Sequence, residues 1–247
     1  MTRKKMALVG GAAAVVLTAA AGAGLYYTMV GHDAPDQVTL NNAIASLSTT
    51  TAGTSGATAG TTTPTDENLT GTWTLASDGT SFVGYRVKEE LAGFGTFTAV
   101  GRTSNIQANL IFDGSTITDV NVTADLTGLS SDSTMRDGQL RRQGIQTDTY
   151  PTATFTLTEP IALASVPAEG ETISATATGD FTLHGVTRSV SIPLQGQLTN
   201  GRVVVVGSLD IAFADYGIEK PTSARVLGIE DSGSMELQLV LQRGTAG

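Results

Sequence analysis

Residues 171–184 read ETISATATGDFTLH, and this stretch decides the fold class. Ile173, Ala175, Ala177, Gly179, Phe181 and Leu183 share one parity. Thr172, Ser174, Thr176, Thr178, Asp180, Thr182 and His184 share the other. A helix repeats its apolar positions every three or four residues, whereas side chains alternate across a strand. The stretch therefore reads as a strand with one apolar face and one polar face. Glu169-Gly170 before it and His184-Gly185 after it are turn dipeptides.

The same period recurs on both sides of this strand. Val83, Tyr85 and Val87 form an early row, followed by Ile106, Ala108, Leu110 and Phe112, then Val120, Val122, Ala124 and Leu126. Val203, Val205, Gly207, Leu209, Ile211 and Phe213 form a later row, and Met235, Leu237, Leu239 and Leu241 the last. These rows predict eight or more antiparallel strands. An array of that size packs as a sandwich or closes as a barrel, and closure removes exposed edges. One exception is Ser131 to Gln146, where Asp132 can cap a short helix carrying Met135 and Leu140. Ala108, Ala124, Ala175, Ala177, Gly179 and Gly207 are small for inward positions. They either leave room for an elongated apolar ligand or fit the taper of a filled barrel.

Upstream of the alternation the physics changes twice. Met6 to Val30 is 25 residues without a charge, preceded by Arg3, Lys4 and Lys5. As a helix it would run roughly 37 Å, enough to cross a ~30 Å hydrocarbon core. The basic flank predicts a single-pass transmembrane helix with the C-terminal bulk outside the cytoplasm. Ala21-Gly22-Ala23 also fits a signal-peptide cleavage site, which would release the domain as a secreted or periplasmic protein. Tyr26 and Tyr27 sit where interfacial anchors stand, which favours an uncleaved anchor. Residues 31–70 are rich in Thr, Ala, Gly and Ser and read as a disordered linker or stalk. Within it, Val38, Leu40, Ile44 and Leu47 permit a short helix between Pro35 and Leu47. Residues 71–247 then form the barrel domain.

The 247 residues carry a formal net charge of -9 and only 15% charged side chains, against about a quarter in ordinary domains. The charge divides as +3 over residues 1–30, -4 over 31–70 and -8 over 71–247. An acidic domain is a poor match for nucleic acid, which demands a basic surface. No cysteine is present, which excludes disulfides, thiolate-ligated zinc and a cysteine nucleophile. No G-x-S-x-G elbow, H-E-x-x-H or phosphate-binding loop occurs, so no enzyme and no cofactor is predicted. Nothing in the sequence bears on the oligomeric state.

Four elements taken in order resemble the YceI-like family. Ser133-Thr134-Met135-Arg136-Asp137 with Leu140 resembles its S-x-x-x-R-D-x-x-L element. Tyr150-Pro151-Thr152-Ala153-Thr154-Phe155 resembles its YP-x-x-x-F element. Gly179 to Val190 resembles its G-x-L-T-L-H-G-V-T-R-x-V strand–turn–strand, and Ala212 to Ile218 its later aromatic-Gly-Ile element. Two departures stand out: Gln146-Thr147-Asp148-Thr149 replaces a double Phe-Asp, and Ala214 replaces an Arg. The resemblance implies a lipocalin-like, eight-stranded antiparallel β-barrel in an extracytoplasmic bacterial protein. It further implies a polyisoprenoid or other long-chain lipid in the barrel, such as an isoprenoid quinone precursor or a polyprenyl phosphate.

Against that expectation, Tyr85, Phe112, Phe155, Phe181 and Phe213 are candidate cavity-lining residues, with ordinary core packing as the competing role. Arg136, Arg141 and Arg142 either form a basic rim for a phosphate head group or pair with Asp132 and Asp137 on a short helix. Arg188 falls in the row of Val186, Val190 and Ile192. A buried Arg there needs an acid such as Asp137, unless a bulge after Gly185 turns it outward. His184 is the domain's sole histidine and reads as a turn residue or a general base, and Trp73 reads as an end plug.

Overall fold

The computed structural model describes residues 34–51, 69–77, 80–93, 95–222 and 226–244. The predicted membrane segment Met6 to Val30 lies outside them. Among the described residues no helix is long and apolar enough to cross a membrane. The strands are β1 (Gly71–Leu75), β2 (Phe82–Leu91), β3 (Gly95–Thr103), β4 (Ile106–Phe112), β5 (Thr116–Asp125), β6 (Ser130–Ser131), β7 (Thr152–Leu157), β8 (Ile161–Ala162), β9 (Thr172–Leu183), β10 (Val186–Thr199), β11 (Arg202–Ala212), β12 (Val226–Ile229) and β13 (Ser232–Arg243). The helices are α1 (Leu40–Thr51) and α2 (Thr134–Arg142).

Pairing closes the sheet on itself. β1 and β2 act as one stave broken at residues 76–81, and β3 and β4 as another broken at 104–105. Followed around the wall, β1/β2, β3/β4, β5, β7, β9, β10, β11 and β13 make eight antiparallel staves. β13 completes the ring. One edge pairs with β11 from Ser232 to Leu241. Its other edge pairs Ser234–Gln238 with β2 and Leu241–Arg243 with β1. No edge is left along this seam, which is the usual benefit of closure. The architecture is the expected eight-stranded antiparallel, lipocalin-like barrel.

β9 shows how alternation becomes wall. β9 pairs with β10 over its whole length, from Val186↔Leu183 to Gln197↔Thr172. Ile173, Ala175, Ala177 and Phe181 face the interior, and the threonines between them face outward. Gly179 leaves no open volume. A Cβ there would lie 2.6 Å from the Phe155 ring, so the glycine admits that ring from β7.

The helices differ from expectation in instructive ways. α2 is capped by Ser133, whose hydroxyl accepts from the Arg136 N–H at 3.3 Å; Asp132 pairs with the Arg136 side chain instead. α1 lies within the stretch whose composition reads as stalk. Leu40, Ala43 and Leu47 are buried on the outer wall against Val204, Val206, Val240 and Ala76. The helix is held there because β11 runs Val203 to Val206, apolar on both faces. Full burial of a Val or Leu side chain is worth about 1.5–3 kcal/mol, which offsets the ordering of neighbouring backbone.

Candidate ligand-binding cavity

The barrel interior is hollow. A cavity of about 320 Å³ runs between the staves, lined by residues from all eight. Its lower end is closed by a solid cluster of Trp73, Phe112, Leu239 and Leu241, with the Trp73 indole N–H donating to the Leu69 carbonyl at 3.0 Å. Its upper end is bordered by α2, through Arg136, Gln139 and Leu140, and by Ile218, Lys220 and Pro221 opposite. The two sides are tied where the Thr222 N–H donates to Gln143 Oε1 at 3.1 Å. The middle of the wall is aliphatic and aromatic, with Phe155, Phe181, Ile192 and Leu237 among its members.

One polar group of residues interrupts this lining near α2. Glu89 continues the inward row of Tyr85 and Val87 and is 7% exposed. The Arg136 guanidinium reaches Glu89 at 2.5 Å and Asp132 at 2.5 Å. Ser131 Oγ accepts from Arg136 at 3.3 Å and donates to Asp137 at 2.7 Å. Partial desolvation is the largest single influence on the Arg136 pKa and lowers it, but Glu89, Tyr85 and Asp132 together outweigh it and the net shift is upward. Burial pushes the Tyr85 phenol well above its ordinary value. Arg136 and Ser131 pull it back; Asp137 and Glu89 add to the rise. Two atoms in this group are buried without a hydrogen bond of good geometry: Arg136 Nε, and Tyr85 Oη, which has the Ser131 hydroxyl beside it. Gly101 is what lets Tyr85 lie where it does, since a Cβ there would stand 2.4 Å from the ring.

The sequence-predicted residues divide. Tyr85, Phe155, Phe181, Phe213 and Arg136 border the cavity. Phe112 does not; the end of β4 carries it into the floor beside Trp73. Arg141 and Arg142 are exposed in the last turn of α2, away from the cavity wall, so they do not form a rim with Arg136. Arg188 is also off the cavity. Its side chain is 47% exposed, 3.4 Å from the Asp215 carboxylate, and its Nε donates to the Asp215 carbonyl. The guanidinium lies 5.9 Å from the Tyr216 ring, which stacks edge-on to Phe181. Tyr216 thus fills the space between Arg188 and the interior. His184 bonds the same turn: its Nδ1 is 2.9 Å from the Tyr216 carbonyl and its ring packs on Tyr150. The histidine and arginine of the strand–turn–strand element together fasten residues 213–216 over the wall. Among the described residues no cluster of three metal-ligating side chains is present.

Glu89 is the wall residue that sequence reasoning missed. Its signal was available, because an acid continuing an apolar alternation must be buried with a partner.

A family model for the YceI-like domain matches residues 73–241. The chain belongs to the YceI-like family. Its barrel also resembles a polyisoprenoid-binding domain from Saccharophagus degradans implicated in plant cell wall breakdown. That likeness has 18% identity and a TM-score of 0.55, covering 70% of this chain and 98% of that one. BcnA of Burkholderia cenocepacia is similar at 19% identity and a TM-score of 0.48, covering 64% of this chain and 95% of that one. No curated protein matches the chain in sequence. In this YceI-like chain the four recognised elements have distinct places: one builds α2 and the polar group of residues, one starts β7, one is the β9–β10 hairpin, and one is the turn it clasps.

Proposed function

We propose that the barrel binds a polyisoprenoid or similar long-chain lipid in its cavity and carries or stores it outside the cytoplasm without chemical change. The observation that carries this reading is the hollow, largely apolar interior closed below by Trp73 and bordered above by α2. At about 320 Å³ the void is at the small end of ligand pockets, so a long chain would fill it. Family membership and the polyisoprenoid ligand of the Saccharophagus relative support the ligand class. The charge-free run Met6 to Val30 behind three basic residues supports export, as an anchor or a cleaved signal. A second reading, a non-enzymatic interaction module displayed on a stalk and built on a solid core, fits a hollow interior less well.

The test is extraction of the full-length protein as purified, followed by denaturing mass spectrometry. An isoprenoid or other long-chain lipid in stoichiometric amount is expected. A ligand-free protein that also fails to take up added squalene and geranylgeraniol would end this reading.

A further inference from the structure

A closed barrel admits a ligand only where an end or the wall can part. The lower end is filled by Trp73 and its neighbours. The upper end is packed as well as tied. A Cβ on Gly144 would stand 3.1 Å from Pro221 and 3.3 Å from Leu140, so the turn after α2 rests directly on the segment opposite. Parting two paired staves breaks a ladder of backbone hydrogen bonds, and every group in it then needs a new partner.

Between β10 and β11 there is no such ladder over the upper half. The two strands pair from Thr199↔Arg202 only as far as Leu194↔Gly207. Both then continue, β10 paired with β9 up to Val186 and β11 paired with β13 up to Ala212. Residues 186–193 and 208–212 thus flank a slot in the wall. An open hollow occupies it, with Arg188, Ser189, Asp210 and Asp215 among its polar lining. Ile211 borders both this hollow and the cavity, so the partition there is thin. Tyr216 plugs the slot: it is 3% exposed and its ring lies 5.8 Å from that of Phe181 on the cavity wall. It stands on the short turn Phe213–Tyr216, outside both strands. From the β9–β10 hairpin only side chains hold that turn, His184 on the Tyr216 carbonyl and Arg188 on Asp215. The Arg188–Asp215 pair is about half exposed on both sides, and ion pairs so placed hold weakly. β9 also outruns β7 below Gly179, but residues 158–168 cover that side and place Ile161, Leu163 and Pro167 on the cavity.

We propose that the slot between β10 and β11 is a lateral portal through which the ligand enters and leaves, with Tyr216 as its plug and the Arg188–Asp215 contact as its latch. The chain passes sideways through the wall while both ends of the barrel stay shut. The proposal rests on the cavity being a lipid site and adds the route to it.

The full-length chain has no cysteine, so paired cysteines can be introduced and bridged with a bismaleimide without background. One pair, Ser189→Cys with Asp210→Cys, ties the slot; the other, Gln143→Cys with Thr222→Cys, ties the α2 end. All four positions are exposed. Stopped-flow fluorescence then follows uptake of retinol, a fluorescent isoprenoid alcohol. Bridging the slot should slow uptake roughly tenfold or more, and bridging the α2 end should leave it unchanged, because gating motions set such rates. Each unbridged pair is the control for its own bridge. Arg188→Ala unlatches the turn without touching the cavity. It should raise the association and dissociation rates together, by severalfold each, at an unchanged Kd; a variant that merely loosened the barrel would lose affinity. A bridged slot that takes up retinol at the parent's rate would overturn the proposal, as would equal or greater slowing by the α2 bridge. A parent protein that takes up no retinol and carries no lipid as purified would instead end the lipid reading, and the portal with it.

Discussion

Strand β11 carries apolar side chains on both faces, and the two faces meet different fates. Outward, Val204 and Val206 pack with Val240 beneath Leu40, Ala43 and Leu47, and Val204 and Val240 are 0% exposed. Inward, Val203 and Val205 border the cavity and are only half-buried, although they point to the centre of the barrel. The usual order is reversed: the outside of this wall is solid and the inside is not. Protein interiors normally close such gaps, because a void forfeits both contact and transfer energy. Here the chain uses its own helix to fill the outer face and leaves the inner face open. Apolar surface that a protein leaves uncovered by its own chain is the expected mark of a ligand site.

The largest test of that contrast is a matched pair of insertions. Ala177 faces the cavity and Ala43 sits in the packed patch outside. Ala177→Trp should abolish lipid binding, a loss of a hundredfold or more, with little change in thermal midpoint, because the indole enters space already empty. Ala43→Trp has no space to enter and should cost about 1–3 kcal/mol or release α1, while binding survives. Lipid titration and thermal melts on both variants check this. A large stability loss from Ala177→Trp would mean the inner face is as solid as the outer.

A smaller effect is expected from truncation. Val240→Ala in the solid patch should cost about 2 kcal/mol, since a new cavity opens among tightly packed neighbours. Val205→Ala merely enlarges a void and should cost about half as much. Urea midpoints of the two ligand-free variants make the comparison. Addition of lipid should widen the penalty for Val205→Ala, because ligand contacts then depend on it.

How much of this was readable beforehand depended on whether a residue's neighbours are local. The alternation of residues 171–184 was legible because each side chain's face follows from parity alone, and β9 realises it without a break. Tyr85, Phe155 and Phe181 followed for the same reason. Arg188 was placed in the correct row but not in the correct surroundings. β10 pairs with β11 only from Leu194 to Thr199, and above that point Tyr216, from a turn 28 residues downstream, comes between Arg188 and the interior. No local pattern announces such an insertion. Phe112 shared a parity with Ala108 and Leu110, yet strand ends meet the floor, which periodicity does not locate. α1 was foreshadowed by Val38 to Leu47. What composition could not show was its dock, which needs the doubly apolar Val203 to Val206 run to be read together with Val240.

The smallest expected effect separates the faces by pH. The solid patch has no titratable member, whereas the open face holds Tyr85 beside Glu89 and Arg136. Burial raises the Tyr85 pKa in the folded barrel above the unfolded value near 10. For a group raised in this way, stability is fully present below the unfolded pKa and is lost as pH climbs beyond it. Above about pH 10 the unfolded chain releases this proton and the folded barrel does not. By pH 11 the barrel should have lost about 1 kcal/mol through this phenol alone. Tyr85→Phe removes this ionisation, so the variant should lose less stability than the parent between pH 9 and 11, measured as the change in urea midpoint. Val240→Ala, on the other face, should keep the parent's alkaline slope despite its lower starting stability. Parallel slopes for all three proteins would mean that the Tyr85 phenol ionises as freely in the barrel as in the unfolded chain, and that the inner face is open to water as well as hollow.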